Sequence, residues 1–391
     1  MCRRLNVPLA GARLLFTLLL APHCLLPSRA AELPTPDSVP LHKEENLARL
    51  MPVWNPLYSL SVGAGYKDNL LLASRGKESS GFVGFAGDFT LWRRPDDDGK
   101  ELQFGLSAND RRYWADRNMD HENSLITYGR YIHDLSPHWQ WVSEFSAGYF
   151  DQVFDFTSLE TQVKRRRLRQ ITLGGSMGLR RKIHEQSWVQ FSPIASRSWF
   201  HDEFDHYSEY GGVLTFNSEY GRRSEWNIEY SGRARVYDSS MQATLQGVTI
   251  PGTSLVYARH ALQFADKHYF DPAHRWMLET KARGLVSFDN GSGYFNYWRI
   301  GFSERLQVHL LNWEFKLETG LTYYEFPHQG VGGAGRDRRT RCDLVEILRV
   351  ERTVGHGWKL YGEYDHDRSL ASDPFERFGA NTVSGGVIWE F

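Results

Sequence analysis

The chain is poor in cysteine: its 391 residues include only Cys2, Cys24 and Cys342. Two of these fall in a leader-like start, so the remainder can close no internal disulfide. There is no basic excess either, with 46 Lys and Arg against 47 Asp and Glu. That balance gives no electrostatic footprint for nucleic acid. Long apolar runs are missing. Residues 14–20 are too few to cross a bilayer as a helix, and no later stretch approaches the ~20 residues required. Also lacking are a Pro/Gly/Ser-rich linker after residue 57 and a Ser–His pair with an evident third partner. One undivided, non-catalytic domain is the expectation, with no cofactor and no metal site.

What is present begins with an export signature. Arg3, Arg4 and Arg13 form a positive start, residues 14–20 an apolar core, and Ser28-Arg29-Ala30 a small-residue cleavage site. Residues 1–30 therefore read as a signal peptide. Residues 31–56 are Pro-rich and polar, with room for a short helix around 42–51, and read as a periplasmic tail. Residues 57–391 are the domain proper.

Aromatic residues make up 14% of the chain although the mean hydropathy is only −0.50. Tryptophans recur shortly after turn-like runs: Trp139, Trp188, Trp226, Trp276, Trp313 and Trp358. Each opens a segment of strict alternation. Trp313, Phe315, Leu317, Leu321 and Tyr323 interleave with Glu314, Lys316, Glu318 and Thr322. Trp226, Ile228, Tyr230, Ala234 and Val236 interleave with Asn227, Glu229, Ser231, Arg233 and Arg235. A period of two places one set on each face of a strand. A greasy face outward and a charged face inward, with Trp held at one depth, is what a bilayer selects from a closed sheet. Around residues 344–350 both parities are apolar and the faces stay unassigned.

Strands are expected near 57–67, 80–92, 100–114, 123–133, 138–151, 166–182, 188–200, 207–220, 225–238, 254–268, 275–289, 293–308, 312–326, 341–353, 357–366 and 378–391. The predicted fold is all-β, a transmembrane antiparallel β-barrel of about sixteen strands with both termini periplasmic. Short gaps alternate with long ones (67–79, 151–164, 239–253, 326–340 and 366–377), as periplasmic turns and external loops do. A β-propeller is the competing architecture, and Gly355-His356-Gly357-Trp358 mimics one of its signatures. A blade needs four short strands per repeat, whereas each repeat here holds two long ones.

The last strand, Val383-Ser384-Gly385-Gly386-Val387-Ile388-Trp389-Glu390-Phe391, resembles the closing strand of bacterial outer-membrane β-barrel proteins. In that class, Trp389 and Phe391 would belong to the signal read by the barrel-assembly machinery. Gly65-Tyr66-Lys67-Asp68-Asn69 is similar to the opening of uncharacterised porin-like barrels and to the barrel portion of surface-lipoprotein assembly modifiers. The helical repeats that precede the barrel in the modifiers have no counterpart here. The resemblance implies the outer membrane of a Gram-negative bacterium, with lipopolysaccharide as a neighbour, and says nothing about cargo.

The alternation turns Glu229, Arg233, Arg235, Glu279, Lys281, Arg283, Arg299, Glu314, Lys316 and Glu318 toward the lumen. Such residues must be paired or wet, and a barrel of this size is wide enough to hold water. Two readings stand: a basic stripe through Arg233, Arg283 and Arg299 that sets selectivity, or a mutually neutralising wall. Small inward residues (Ser59, Ser61, Gly63, Gly84, Ala86) leave room for the 31–56 tail or another plug. The clusters His201-Asp202-Glu203-Phe204-Asp205-His206, Asp120-His121-Glu122 and Asp365-His366-Asp367 read as a hydrated rim, with hydrolytic chemistry as the rival. Lys164-Arg165-Arg166-Arg167 reads as a patch for lipid phosphates. Passive diffusion of small hydrophilic solutes is the leading function, a partner-hosting export or surface-assembly barrel the second, and an outer-membrane hydrolase the third.

Overall fold

The computed structural model describes residues 53–96, 99–114, 120–155, 165–201, 205–221, 223–331 and 337–391. Sixteen antiparallel strands follow one another around a closed barrel: β1 (Trp54–Lys67), β2 (Ser80–Arg93), β3 (Glu101–Tyr113), β4 (His121–Ser136), β5 (Trp139–Asp155), β6 (Arg165–His184), β7 (Ser187–Phe200) and β8 (Tyr207–Tyr220), then β9 (Ser224–Tyr237), β10 (Val256–Tyr269), β11 (Trp276–Asp289), β12 (Tyr297–Leu310), β13 (Trp313–Val331), β14 (Asp337–Gly355), β15 (Trp358–Ala371) and β16 (Phe378–Glu390). Each strand pairs with its sequence neighbours, and β16 pairs with β1 to close the ring. Closure gives every strand a partner on both sides, as hydrocarbon requires. The expected signal peptide and nearly all of the tail lie outside the described residues.

The differences from expectation are local and physical. β1 begins at Trp54 rather than 57, because Trp54, Asn55 and Pro56 pair with Arg93, Trp92 and Leu91. On its other side the backbone pairing of β1 starts at Tyr58, which exchanges hydrogen bonds with Phe391, so Pro56 sits where that side of the strand is unpaired and its missing N–H costs nothing. β12 starts at Tyr297 rather than 293, since the Asp289 carboxylate accepts hydrogen bonds from the amides of Gly291, Gly293 and Phe295 and holds that segment in a turn. β13 and β14 run on to Val331 and from Asp337, past an irregularity between Phe326 and Gly330 that contains Pro327.

Parity sorts the faces. Leu60, Val62, Phe85, Phe145, Leu173, Phe191, Leu214, Leu262, Ile300 and Leu317 are all exposed, on the outside. Partner positions such as Ser192, Ser231, Ser287, Ser303 and Thr322 are buried on the inside. On β14 the register resolves the ambiguous segment: Leu344 and Leu348 lie opposite outward Leu321 and Leu317, so Val345 and Ile347 face inward. The short-turn end carries an outward girdle of Trp54, Trp139, Trp226, Trp276, Trp313, Trp358 and Trp389. Trp188 falls on the other face. It shares parity with buried Gln190, and the Arg180 guanidinium lies 4.1 Å from its ring centroid. The two-residue turn before it matches those before Trp139 and Trp358, but β7 begins one residue earlier, at Ser187, which reverses the parity of the tryptophan.

Candidate functional site

The lumen is the site, and its two sides differ. β1, β2, β6 and β7 place small or hydroxyl side chains at many inward positions (Ser59, Ser61 and Gly63 on β1, Thr172 and Ser176 on β6, Ser196 and Ser198 on β7), while β3 to β5 add longer polar ones, with Arg111 over the Phe82 ring and Arg130 3.3 Å from Glu144. Strands eight apart in a sixteen-strand ring are opposite one another, so this wall faces β9 to β15. There the inward positions are long and charged.

Toward the short-turn end of the charged wall, acids and bases neutralise one another. Glu279 holds Lys281 at 2.7 Å and Arg305 at 3.1 Å, and Arg305 also reaches Glu318 at 2.7 Å. Lys316 bridges Glu314 at 2.8 Å and Glu351 at 3.3 Å. Arg349 joins Glu351 to Glu363, and Lys359 extends the lattice to Glu390. Five strands, β11 to β15, and the end of β16 are thus laced by alternating signs. A lattice of this kind adds little net field.

Toward the long-connection end the balance changes. Glu209 on β8 accepts from Arg235 at 2.8 Å and from Arg259 at 2.7 Å, and lies 3.7 Å from Arg233. Arg233 and Arg259 are opposite each other on β9 and β10. Arg283 follows on β11, opposite Gln263, with no hydrogen-bond or ion-pair partner among the described residues and its Nε buried. Arg299 follows on β12, opposite Leu285, with its guanidinium 5.8 Å from the Tyr324 centroid. Above this patch runs a ladder of inward rings, Phe200, Tyr207, Tyr237, Tyr257 and Phe295, with successive centroids 5.5 to 6.2 Å apart. The Arg235 guanidinium stacks on Tyr207 at 4.0 Å, a cation–π contact that fixes the arginine to the wall. The guanidiniums outnumber the carboxylates here.

The geometry places the lumen residues in two different sectors of the wall. Lys281, Glu279, Glu314, Lys316 and Glu318 belong to the neutral lattice. Arg233, Arg235, Arg283 and Arg299 belong to the basic patch, and Glu229 lies inward opposite Gln263 without an ion pair among the described residues. Sequence reasoning missed Glu209, Arg259 and Arg305. On β10, inward Tyr257, Ala261 and Ala265 blur the alternation, yet Arg259 and Lys267 are an even number apart and so share a face.

The rim clusters bond to neighbouring backbone and side chains. Asp205 accepts from the Ser239 amide at 2.9 Å and the Ser239 hydroxyl at 2.8 Å, and His206 Nδ1 accepts from the Phe200 amide at 3.1 Å. Desolvation would raise the Asp205 pKa, but these amide donors outweigh it and hold the carboxyl below its ordinary value. Residues 202–204 of this cluster lie outside the described residues, as do the side chains of 164–167. His121 lies 2.8 Å from Asp120 and 3.4 Å from Asp151. Asp365 is buried inward while His366 takes the opposite parity. Among the described residues no three His, Cys, Asp or Glu side chains converge on a cation position. Cys342 sits outward between Tyr323 and Leu370.

The Asp68-Asn69 motif is a clasp over the closing seam. Asp68 accepts from the amide and side chain of Asn381, and the fully buried Asn69 donates to the carbonyls of Ala73 and Gly379.

No family model and no curated protein matches the chain. Many solved structures resemble it in fold. OccAB1 of Acinetobacter baumannii aligns at 9% identity over 86% of this chain and 97% of that one, with a TM-score of 0.44. CdiB of Acinetobacter baumannii aligns at 10% identity over 86% of this chain and 60% of that one, with a TM-score of 0.45. A bacterial polysaccharide outer membrane secretin aligns at 9% identity over 85% of this chain and 98% of that one, with a TM-score of 0.41.

Proposed function

We propose that the chain is an outer-membrane channel of a Gram-negative bacterium through which small hydrophilic solutes diffuse passively, anions being favoured over cations. The observation that carries this reading is the unequal lumen, in which a patch of arginines on β9 to β12 has only one nearby carboxylate acceptor, Glu209, and lies across from the small inward residues Ser59, Ser61 and Gly63 of β1 and Gly84 and Ala86 of β2. An anion entering from the long-connection end, which we assign to the cell exterior, exchanges part of its hydration for Arg233, Arg259 and Arg283. Opposite it, the small inward residues of β1 and β2 leave room for the solute. Further in, the alternating lattice offers no net attraction, so the solute is not trapped. Conduction needs both an attractive entry and an easy exit. The short-turn end would face the periplasm, with lipopolysaccharide around the outer rim and the barrel-assembly machinery acting on β16.

The test is conductance of the folded protein in a planar lipid bilayer under a tenfold KCl gradient. Open steps are expected, with a reversal potential of the sign for chloride and smaller than the ideal limit of about 59 mV. Replacing Arg233 and Arg283 with Glu should move it toward potassium. A folded barrel that stays silent would reject the channel. It would favour the second reading, a barrel that hosts a lipoprotein, polysaccharide or protein partner.

A further inference from the structure

The outer surface carries one feature that hydrocarbon does not favour. Following the register from strand to strand, Asp266 on β10 is opposite Thr280 on β11, then Glu304 on β12, Thr319 on β13, Glu346 on β14, His366 on β15 and Asn381 on β16. All seven share the outward parity of Leu306, Leu317 and Leu348. The line lies near the short-turn end on β10, at mid-strand on β12, and near the long-connection end on β16, so it crosses the apolar belt obliquely. In the other half, the polar residues of that parity that the register links, Asp110 on β3, Asn123 on β4, Asp151 on β5 and Arg169 on β6, stay toward the long-connection end. At mid-strand on β2, β3, β5 to β9 the outward residues are of the kind of Phe89, Leu106, Phe145, Leu173, Phe191 and Leu214.

The two ends of this line are satisfied within the chain. The Tyr220 hydroxyl donates to Asp266 at 2.7 Å, and Asn381 Oδ1 lies 2.8 Å from both His366 Nδ1 and the Tyr364 hydroxyl. The middle is not. Among the described residues, Glu304 and Glu346 have no hydrogen-bond or ion-pair partner, and Glu346 is exposed. A second, independent observation lies on the same outward face, four residues nearer the short-turn end along β15 than His366. Gly362 on β15, Gly385 on β16 and Ala64 on β1 are opposite one another on the same outward face. A Cβ built on Gly362 meets nothing within 4 Å, so the surface here is shallow and admits another backbone closely. Between transmembrane helices, small residues let backbones approach and polar side chains bond across the contact, and this sheet face offers the same two features.

We propose that the β12–β16 sector is the contact surface for a second copy of this chain. The oblique line makes the surface self-complementary. A two-fold axis along the bilayer normal, passing between β13 and β14, sets the two lines crossing as an X. At the crossing, the Thr319 hydroxyl of each copy meets the Glu346 carboxyl of the other, twice over, as an isologous interface requires. Donor and acceptor both come from this chain, so no foreign basic partner is needed. Glu304 lies two strands from Glu346, about 10 Å at ~4.8 Å per strand, and falls inside the same contact. The proposal rests on the bilayer placement of the barrel and not on whether the lumen conducts.

The experiment is native mass spectrometry of the full chain from lipid nanodiscs, beside the variant carrying Glu304→Leu and Glu346→Leu. Both substitutions put an apolar side chain on a lipid-facing position, so the barrel itself keeps its fold, checked by heat-dependent mobility in SDS gels. A two-copy mass is expected for the parent, with the ratio of two-copy to one-copy species falling about tenfold or more in the variant, a change of ~1.4 kcal/mol. A one-copy mass for the parent would overturn the proposal. So would a two-copy mass indifferent to the substitutions, or a second chain of different sequence held on this face. Bilayer conductance of the variant separates the two conclusions, since loss of pairing with open steps retained leaves the channel reading intact.

Discussion

Glu209→Gln removes the carboxylate on which the basic patch is organised. Arg235 and Arg259 donate to it at 2.8 and 2.7 Å and Arg233 lies 3.7 Å away. The Glu209 and Arg235 side chains are 9% and 10% exposed, so water can replace little of the lost charge. Removing one partner of a buried pair costs about 3–5 kcal/mol. The lower end, ~3 kcal/mol, is expected here, because Gln keeps an acceptor and Arg233, about a third exposed, stays wet. That is roughly a 150-fold shift in the folding equilibrium. Reversible urea unfolding in lipid vesicles, followed by tryptophan fluorescence, measures it. Because the net positive charge of the patch rises by one, the reversal potential should also move further toward chloride. An unfolding free energy within about 0.5 kcal/mol of the parent, the range of an ordinary surface change, together with an unmoved reversal potential, would refute the assignment.

Gly357→Ala should cost about 1–3 kcal/mol by the strain of a left-handed residue, with more from a Cβ that would lie 2.1 Å from the Glu390 carbonyl oxygen; a lowered urea midpoint checks it. Leu311 is fully exposed at φ 56°, so Leu311→Gly should stabilise the β12–β13 turn by up to about 1–2 kcal/mol, the left-handed penalty it relieves. Asp205 has a folded pKa below its ordinary 3.8, so its contribution is fully present above that value and is lost as the pH falls through the lowered one. Pepsin cleavage of the 238–255 connection should therefore quicken at the acid end of that window in the parent, and Asp205→Asn should remove the pH step.

The period-two alternation made the strands, their order and the outer face legible, because a bilayer enforces it at every turn of the ring. It failed where a strand lacks a greasy face of its own. On β10, Ala261 and Ala265 are inward, and the charged wall passes through Arg259 unannounced. On β8, Gly211 and Gly212 erase the alternation beside Glu209. The partners of a lumen charge lie on other strands, at a register that only closure sets, so a basic patch and a neutral lattice look alike along the chain. Trp188 shows the limit from the other side: one residue of strand start reverses which face a ring meets.

The seam has its own consequence. β1 meets β16 over Ser59–Lys67, with one more backbone pair between Tyr58 and Phe391, whereas it meets β2 over Trp54–Lys67, and the seam joins Gly63 to Gly386. Closing a loop of about 320 residues carries an entropic cost of roughly 5 kcal/mol before any seam bond compensates. No arc of fewer strands is a smaller version of the whole, since any open arc leaves two edges that hydrocarbon cannot solvate. The ring is therefore a zipper with one late tooth-line. It fastens last, and the Asp68–Asn381 clasp with the stacked Tyr58 and Phe391 rings guards its two ends. The lifetime of the finished barrel is set by how rarely that line opens, and not by the sum of the other fifteen joints.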